Sequence, residues 1–100
     1  MIDQTISEVF ALAGQFCKIK WSLRFLPLKG LRPTERKRAE KYLLHLMRHR
    51  PEEVPPIAVE KDPDGYPGYL IMEGHHRLDA ARRLRLDGLW AVVVHDLTPC

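Results

Sequence analysis

Apolar and polar positions change period several times along the chain. Between Gln4 and Phe16, Ile6, Val9, Phe10 and Ala13 recur at helical spacing and predict a helix with one apolar stripe. Thr5, with Glu8 three residues later, fits a capping box at its start, and Gly14 weakens its end. The period then drops to two. Ile19, Trp21, Leu23 and Phe25 alternate with Lys18, Lys20, Ser22 and Arg24, which predicts a strand with one buried face. Leu26-Pro27-Leu28 continues extended, because Pro27 disfavours helix at Leu26. A second helix is expected after Pro33, with Thr34 as N-cap, an apolar stripe of Ala39, Tyr42, Leu43, Leu46 and Met47, and Pro51 as its stop. Ile57-Ala58-Val59 reads as a short strand. Asp62-Pro63-Asp64-Gly65 is turn chemistry. Tyr69-Leu70-Ile71-Met72 reads as a second strand, in a hairpin with the first or close beside it. A third helix, roughly 76–86, buries Leu78, Ala81 and Leu84 and ends at Asp87-Gly88. Residues 89–95 form a continuous apolar run that suits a central strand. The expected fold is α+β, with a small mixed sheet of about four strands and about three helices. Trp21, Phe25, Tyr42 and Trp90 fall on the faces predicted to be buried and read as core. Tyr66 and Tyr69, beside the Pro67-Gly68 turn, are expected to pack over the hairpin, with stacking of one of them on a base as the alternative.

Length and composition narrow the class. One hundred residues suit a single domain with one modest core. The 45% hydrophobic and 29% charged content is that of a soluble globular protein and excludes a disordered one. No apolar run reaches the roughly 18–20 residues that cross a bilayer, and no basic segment leads into an apolar block at the N-terminus. Two cysteines, Cys17 and Cys100, exclude a disulfide-framed mini-protein and a four-thiolate zinc site. Free thiols in the cytoplasm are the expected state.

Charge is uneven. Residues 1–50 hold eleven Lys/Arg against four Asp/Glu, and residues 51–100 hold five against nine, which gives the net +3. Arg36, Lys37, Arg38 and Lys41 belong to the basic excess around the second helix. They either contact nucleic acid or form a solvated helix face. His45 and His49 are four apart, a spacing compatible with a metal, but they lack a neighbouring Glu and no metal site is assigned.

The chemistry concentrates at the junction of the Tyr69–Met72 strand with the third helix. Gly74 permits a sharp turn and close approach of a ligand. The helix that follows exposes N–H groups and the positive end of its dipole, which favour an anion. Arg77 adds a guanidinium suited to phosphate, and His75 and His76 add donors. Spacing alone leaves this open against a simple strand turn with a solvated arginine.

Pro56-Ile57-Ala58-Val59, then Tyr69 through Leu84 with Gly74, Arg77 and Ala80 in register, then Val92-Val93-Val94, resemble the ParB/sulfiredoxin superfamily. The resemblance covers residues 26–96, with residues 1–25 as an N-terminal extension of helix and strand. It implies that Gly74, His75, His76 and Arg77 hold the phosphates of a nucleotide. Sulfiredoxins carry a nucleophilic cysteine just after this glycine. His75 stands there instead, so that redox activity is not expected. Chromosome-partition ParB proteins bind CTP with a loop that usually carries two arginines, and continue into a helix-turn-helix module that these residues leave no room for. The loop Glu73-Gly74-His75-His76-Arg77 is most similar to that of the ADP-dependent free-serine kinases. Pro33-Thr34-Glu35 matches the spacing of their catalytic glutamate. By this resemblance Glu35 would accept a substrate proton and Glu73 would help hold Mg²⁺. The added region that builds the serine pocket in those kinases has no counterpart here.

The expectation is therefore a ParB-like domain that binds a nucleotide (ADP, ATP or CTP) or another phosphate-bearing ligand at residues 74–77. One alternative is a small Mg²⁺-dependent phosphotransferase or phosphohydrolase. Another is a DNA-associated accessory protein of a partition or phage system. The alternating strand over 18–25 could also pair across a homodimer.

Overall fold

A computed structural model describes residues 2–13, 16–62, 64–65 and 67–99. The expectations that concern Tyr66, Cys100 and the side chains of Phe10, Ala13, Cys17 and Ile19 lie outside the described residues.

The chain runs α1 (Ile2–Ala13), β1 (Phe16–Pro27), β2 (Leu31–Arg32), α2 (Lys41–His49), β3 (Ile57–Lys61), β4 (Tyr69–Glu73), α3 (His75–Arg83) and β5 (Gly88–Pro99). The strands form one mixed sheet in the order β1-β5-β3-β4-β2. β3 and β4 are the expected antiparallel hairpin, and β3 runs parallel to β5. β1 pairs antiparallel with β5 over nearly its whole length. The fifth strand, absent from the sequence prediction, is the two-residue β2, parallel to β4.

The apolar run in β5 reads continuously because it is covered on both sides. Ala91 and Val93 join Leu26, Leu31, Ile57, Val59, Ile71 and the α3 residue Leu78 on one face. Val92 and Val94 join Ala58 and Val9, with Ile2 and Ile6 of α1, on the other. A third cluster, with Ala39, Met47, Ala80 and Ala81, fixes α2 against α3. α1 thus covers one face of the sheet and α3 the other, with α2 packed against α3. β3 occupies the middle of the sheet and β5 lies beside it.

Three expectations are corrected. Helix α1 already includes Ile2, so Thr5 and Glu8 are not a capping box. The Thr5 hydroxyl is buried and donates to the Pro56 carbonyl, while Glu8 pairs with Arg77. Second, α2 begins at Lys41 rather than after Pro33. The backbone N–H of Thr34 donates to His75 Nε2 at 3.1 Å, and that of Ala39 to Asp79 Oδ2 at 2.7 Å. Side chains of α3 thus hold residues 33–40 in a non-helical path, and Thr34 caps nothing. Third, Trp21, Phe25, Tyr42 and Trp90 are exposed, not core. The alternation in β1 is real, but α1 packs over β3, β4 and β5 and leaves the aromatic side of the edge strand in solvent. Tyr42 projects from the solvent side of α2.

Candidate functional site

The site starts with Gly74. It caps α3 with φ 111° and ψ 25°, a left-handed conformation that other residues rarely adopt. A Cβ at this position would stand 2.5 Å from Cγ2 of Ile57. The turn therefore needs glycine both for its dihedral angles and for its close approach to β3. The first-turn N–H groups of α3, those of His75, His76 and Arg77, have no acceptor within the helix itself.

Arg77 is largely buried, with a side chain 14% exposed. One guanidinium nitrogen donates to the Pro56 carbonyl at 3.1 Å, and another to Glu8 Oε1 at 3.2 Å. Gln4 Nε2 also donates to Glu8 Oε1, at 3.2 Å. The guanidinium is thus held between β3 and α1, in contact with a carboxylate. His75 is buried, and its Nε2 accepts from the Thr34 N–H, with the Thr34 hydroxyl 3.0 Å away. That bond requires an unprotonated Nε2, so in this geometry His75 fixes the 33–40 segment. His76 is exposed.

Two cavities meet at this loop. The larger, about 340 Å³, is walled by Gln4, Glu40, Tyr42, Leu43, Leu46, Val54, Pro55 and the Glu73-Gly74 turn with His76 and Arg77. It lies at the small end of the roughly 300–1,000 Å³ range of small-molecule sites. Its wall is apolar where α2 and the Val54-Pro55 segment line it. Tyr42, 73% exposed, stands at its edge. The second cavity, about 300 Å³, lies across the loop and is lined by Thr34, Glu35, Lys37, Met72, Glu73, His75 and His76. Glu73 and His76 border both. Glu35 and Lys37 form an ion pair at 3.6 Å on its exposed rim.

The residues singled out at positions 35 and 73–77 are therefore brought together. The basic set Arg36, Lys37, Arg38 and Lys41 is not. Arg36 and Lys37 line a cleft with Arg82 and Asp79, whereas Lys41 lies in a separate groove with His45, Arg48, His49 and Arg83. Arg36–Arg38 precede α2 and share no helix face with Lys41. Among the described residues, no three of His, Cys, Asp and Glu stand close enough to hold a metal ion. Glu8, Glu40 and Tyr42 were not recognised as site residues in the sequence. Glu8 and Tyr42 already had a local reading, as cap and core. Glu40 carried no motif.

Comparison with solved structures identifies the architecture. The C-terminally truncated chromosome-partitioning protein ParB from Caulobacter crescentus, complexed with CTP-gamma-S, superposes with a TM-score of 0.60 at 26% identity, covering 72% of this chain and 43% of that one. Sulfiredoxin from Arabidopsis thaliana superposes with a TM-score of 0.61 at 22% identity, covering 75% and 86%. A free serine kinase in complex with AMP gives 0.52 at 22% identity, covering 79% and 32%. No family model and no curated protein sequence matches. By these structural matches the fold is ParB/sulfiredoxin-like. It spans less than half the length of the ParB and about a third of the kinase.

Proposed function

We propose that the chain binds a nucleotide, with the phosphates at the amino end of α3 and the base in the larger cavity. The observation that carries this reading is that Gly74, His76 and Arg77 border one end of a cavity whose opposite wall is apolar and aromatic. Phosphate oxygens would take the first-turn N–H groups and the guanidinium. The base would lie against Leu43, Leu46 and Pro55, with Tyr42 available to stack on it. The CTP-gamma-S complex of the Caulobacter ParB and the AMP complex of the free serine kinase support a nucleotide as the ligand class.

The charge balance adds a condition. Among the described residues, Arg77 is the one permanent cation on that cavity wall and already faces Glu8, while Glu40 and Glu73 add negative charge. A polyphosphate is therefore favoured as its Mg²⁺ complex. The two carboxylates are oxygen donors of the kind Mg²⁺ accepts, with the phosphates completing its shell.

Thermal unfolding with AMP, ADP, ATP or CTP, each with and without Mg²⁺, tests the reading. A nucleotide at ten times its Kd adds about 1.4 kcal/mol, which raises the Tm of a domain this size by about 6–11 °C. Arg77→Ala should abolish the shift. A wild-type Tm that no nucleotide moves, at millimolar concentration with Mg²⁺, removes the proposal.

A second reading rests on the cavity across the loop. Glu35 and Glu73 line it together, so a hydroxyl-bearing acceptor placed there would have a general base beside the phosphate site. If phosphoryl transfer or hydrolysis occurs, Glu35→Gln should lower turnover by about 10²–10⁴-fold while the nucleotide-induced Tm shift persists. Turnover unaffected by Glu35→Gln excludes this role.

A further inference from the structure

The side of β1 that shares a face with α1 carries Trp21, Leu23 and Phe25, which are 41%, 45% and 49% exposed. Trp90, directly opposite Phe25 on β5, is 57% exposed. The Phe25 and Trp90 rings are 5.5 Å apart, so the four side chains form one continuous patch. Isolated exposed apolar residues are ordinary, but a contiguous aromatic patch on an edge strand marks a surface that is covered in use.

We infer that this patch is covered by the same patch of a second copy, in a two-fold symmetric dimer packed sheet face to sheet face.

Charge decides between occupants. The cations of β1 lie on the other side of the strand. Arg24 donates to the Tyr69 hydroxyl there at 3.1 Å, Ser22 bonds His95 on that side, and Lys20 joins them by strand alternation. A nucleic-acid strand would need cations beside the stacking rings, and an anionic lipid surface would need them at the rim. The patch offers neither, and it carries no charge that would select an oppositely charged partner. An uncharged apolar face is complementary to its own twin. Edge-to-edge pairing of two β1 strands is disfavoured, because Lys20 and Arg24 would face like charges and the described part of the strand has no carboxylate to offset them.

Area fits as well. The four residues expose on the order of 400 Å² per copy, at about 200–250 Å² for each large aromatic, so two copies bury about 800 Å². Stable interfaces start at about 1,200 Å², and transient ones lie below that. A mainly apolar cavity of about 340 Å³ opens beside the patch, bounded by Phe25, Trp90, Leu86, Met47 and Ile57, with Asp87 also in its wall. Side chains of the second copy entering it add to the area. The expected dimer is therefore weak, with a Kd of about 10–100 µM.

Sedimentation velocity from 1 to 500 µM tests this in the absence of nucleotide, so the result is independent of the phosphate site. The monomer of 11.6 kDa should give way to a species of twice that mass. Trp21 and Trp90 are the two tryptophans of the chain, so emission should move to shorter wavelength over the same range and iodide quenching should fall. Trp21→Lys and Phe25→Lys should each raise the Kd at least tenfold, and Lys20→Glu should leave it unchanged. Far-ultraviolet circular dichroism verifies that each variant is folded, and Phe25→Ser serves where a lysine variant is not. A wild-type chain that stays monomeric at 500 µM overturns the inference. So does a dimer that survives both patch substitutions, or one that Lys20→Glu alters tenfold, which would point to edge pairing.

Discussion

Arg77 has two carboxylate-like claims on its guanidinium, and only one of them is in the protein. Glu8 Oε1 sits 3.2 Å away in a largely buried ion pair. An incoming phosphate must share the guanidinium with that carboxylate or displace it. Glu8→Gln keeps the shape and a hydrogen-bonding oxygen while removing the competing charge. Its expected effect is nucleotide binding tightened about fivefold, or ~1 kcal/mol, with a similar loss of stability in the free protein. Calorimetric titration and chemical denaturation of the same variant read the two effects. Affinity that falls in Glu8→Gln would show that Glu8 positions Arg77 for the ligand rather than competing with it. The positions of Gly74 and Arg77 in the strand–helix turn were legible in the sequence because local geometry fixes them, whereas the partners of Arg77 were not. A turn residue before a helix, and an arginine in its first turn, sit where the backbone puts them. Glu8 was hidden because its partner is 69 positions away, and its spacing from Thr5 satisfied a nearer explanation. His75 was legible as part of the loop, but its bond to Thr34 depends on a fold that brings residues 34 and 75 together.

The elements differ in how far sequence decided them. β3, β4, α3 and β5 follow from patterns whose central apolar residues are buried, Ile57 to Val59, Ile71, Leu78 and Ala91 to Val94, and the sequence between them is rich in Gly, Pro and Asp. The start of α2 does not follow. Residues 34–40, Thr-Glu-Arg-Lys-Arg-Ala-Glu, have ordinary helix propensity, yet the backbone N–H groups of Thr34 and Ala39 donate to side chains of α3. Asp79 anchors this segment through Ala39 and also pairs with Arg83 at 3.2 Å. Asp79→Ala removes both bonds and should cost about 1–3 kcal/mol, measured by urea denaturation. It should also raise amide exchange across 34–40. A variant as stable as the parent, with exchange unchanged, would mean that the segment is held by His75 alone. β1 shows the opposite error. Its period was readable, but its burial was not, because a two-residue alternation defines two faces without saying which neighbour covers them. Here the covering helix stops short.

Across the whole molecule, the class of fold was readable and the arrangement of the sheet was not. Alternating helices and strands restrict the fold to a helix-covered mixed sheet. Whether the N-terminal strand lies at the margin or within the sheet depends on pairings between distant segments, which no local pattern encodes. The basic excess of residues 1–50 is dispersed in the same way. One part lines a cleft between the 33–37 segment and α3, and another lines a separate groove between α2 and the end of α3. The aromatic surface and the cavity beside Gly74 and Arg77 are built from different residues.

The longest ladder in the protein joins residues 16–27 to residues 88–99. On the ribosome, the earlier strand emerges with no strand to bind until more than sixty further residues have been made. Closing so large a loop is slow. Throughout that wait Trp21, Leu23 and Phe25 are presented on an unpaired ribbon, the kind of segment that hydrophobic-binding chaperones hold.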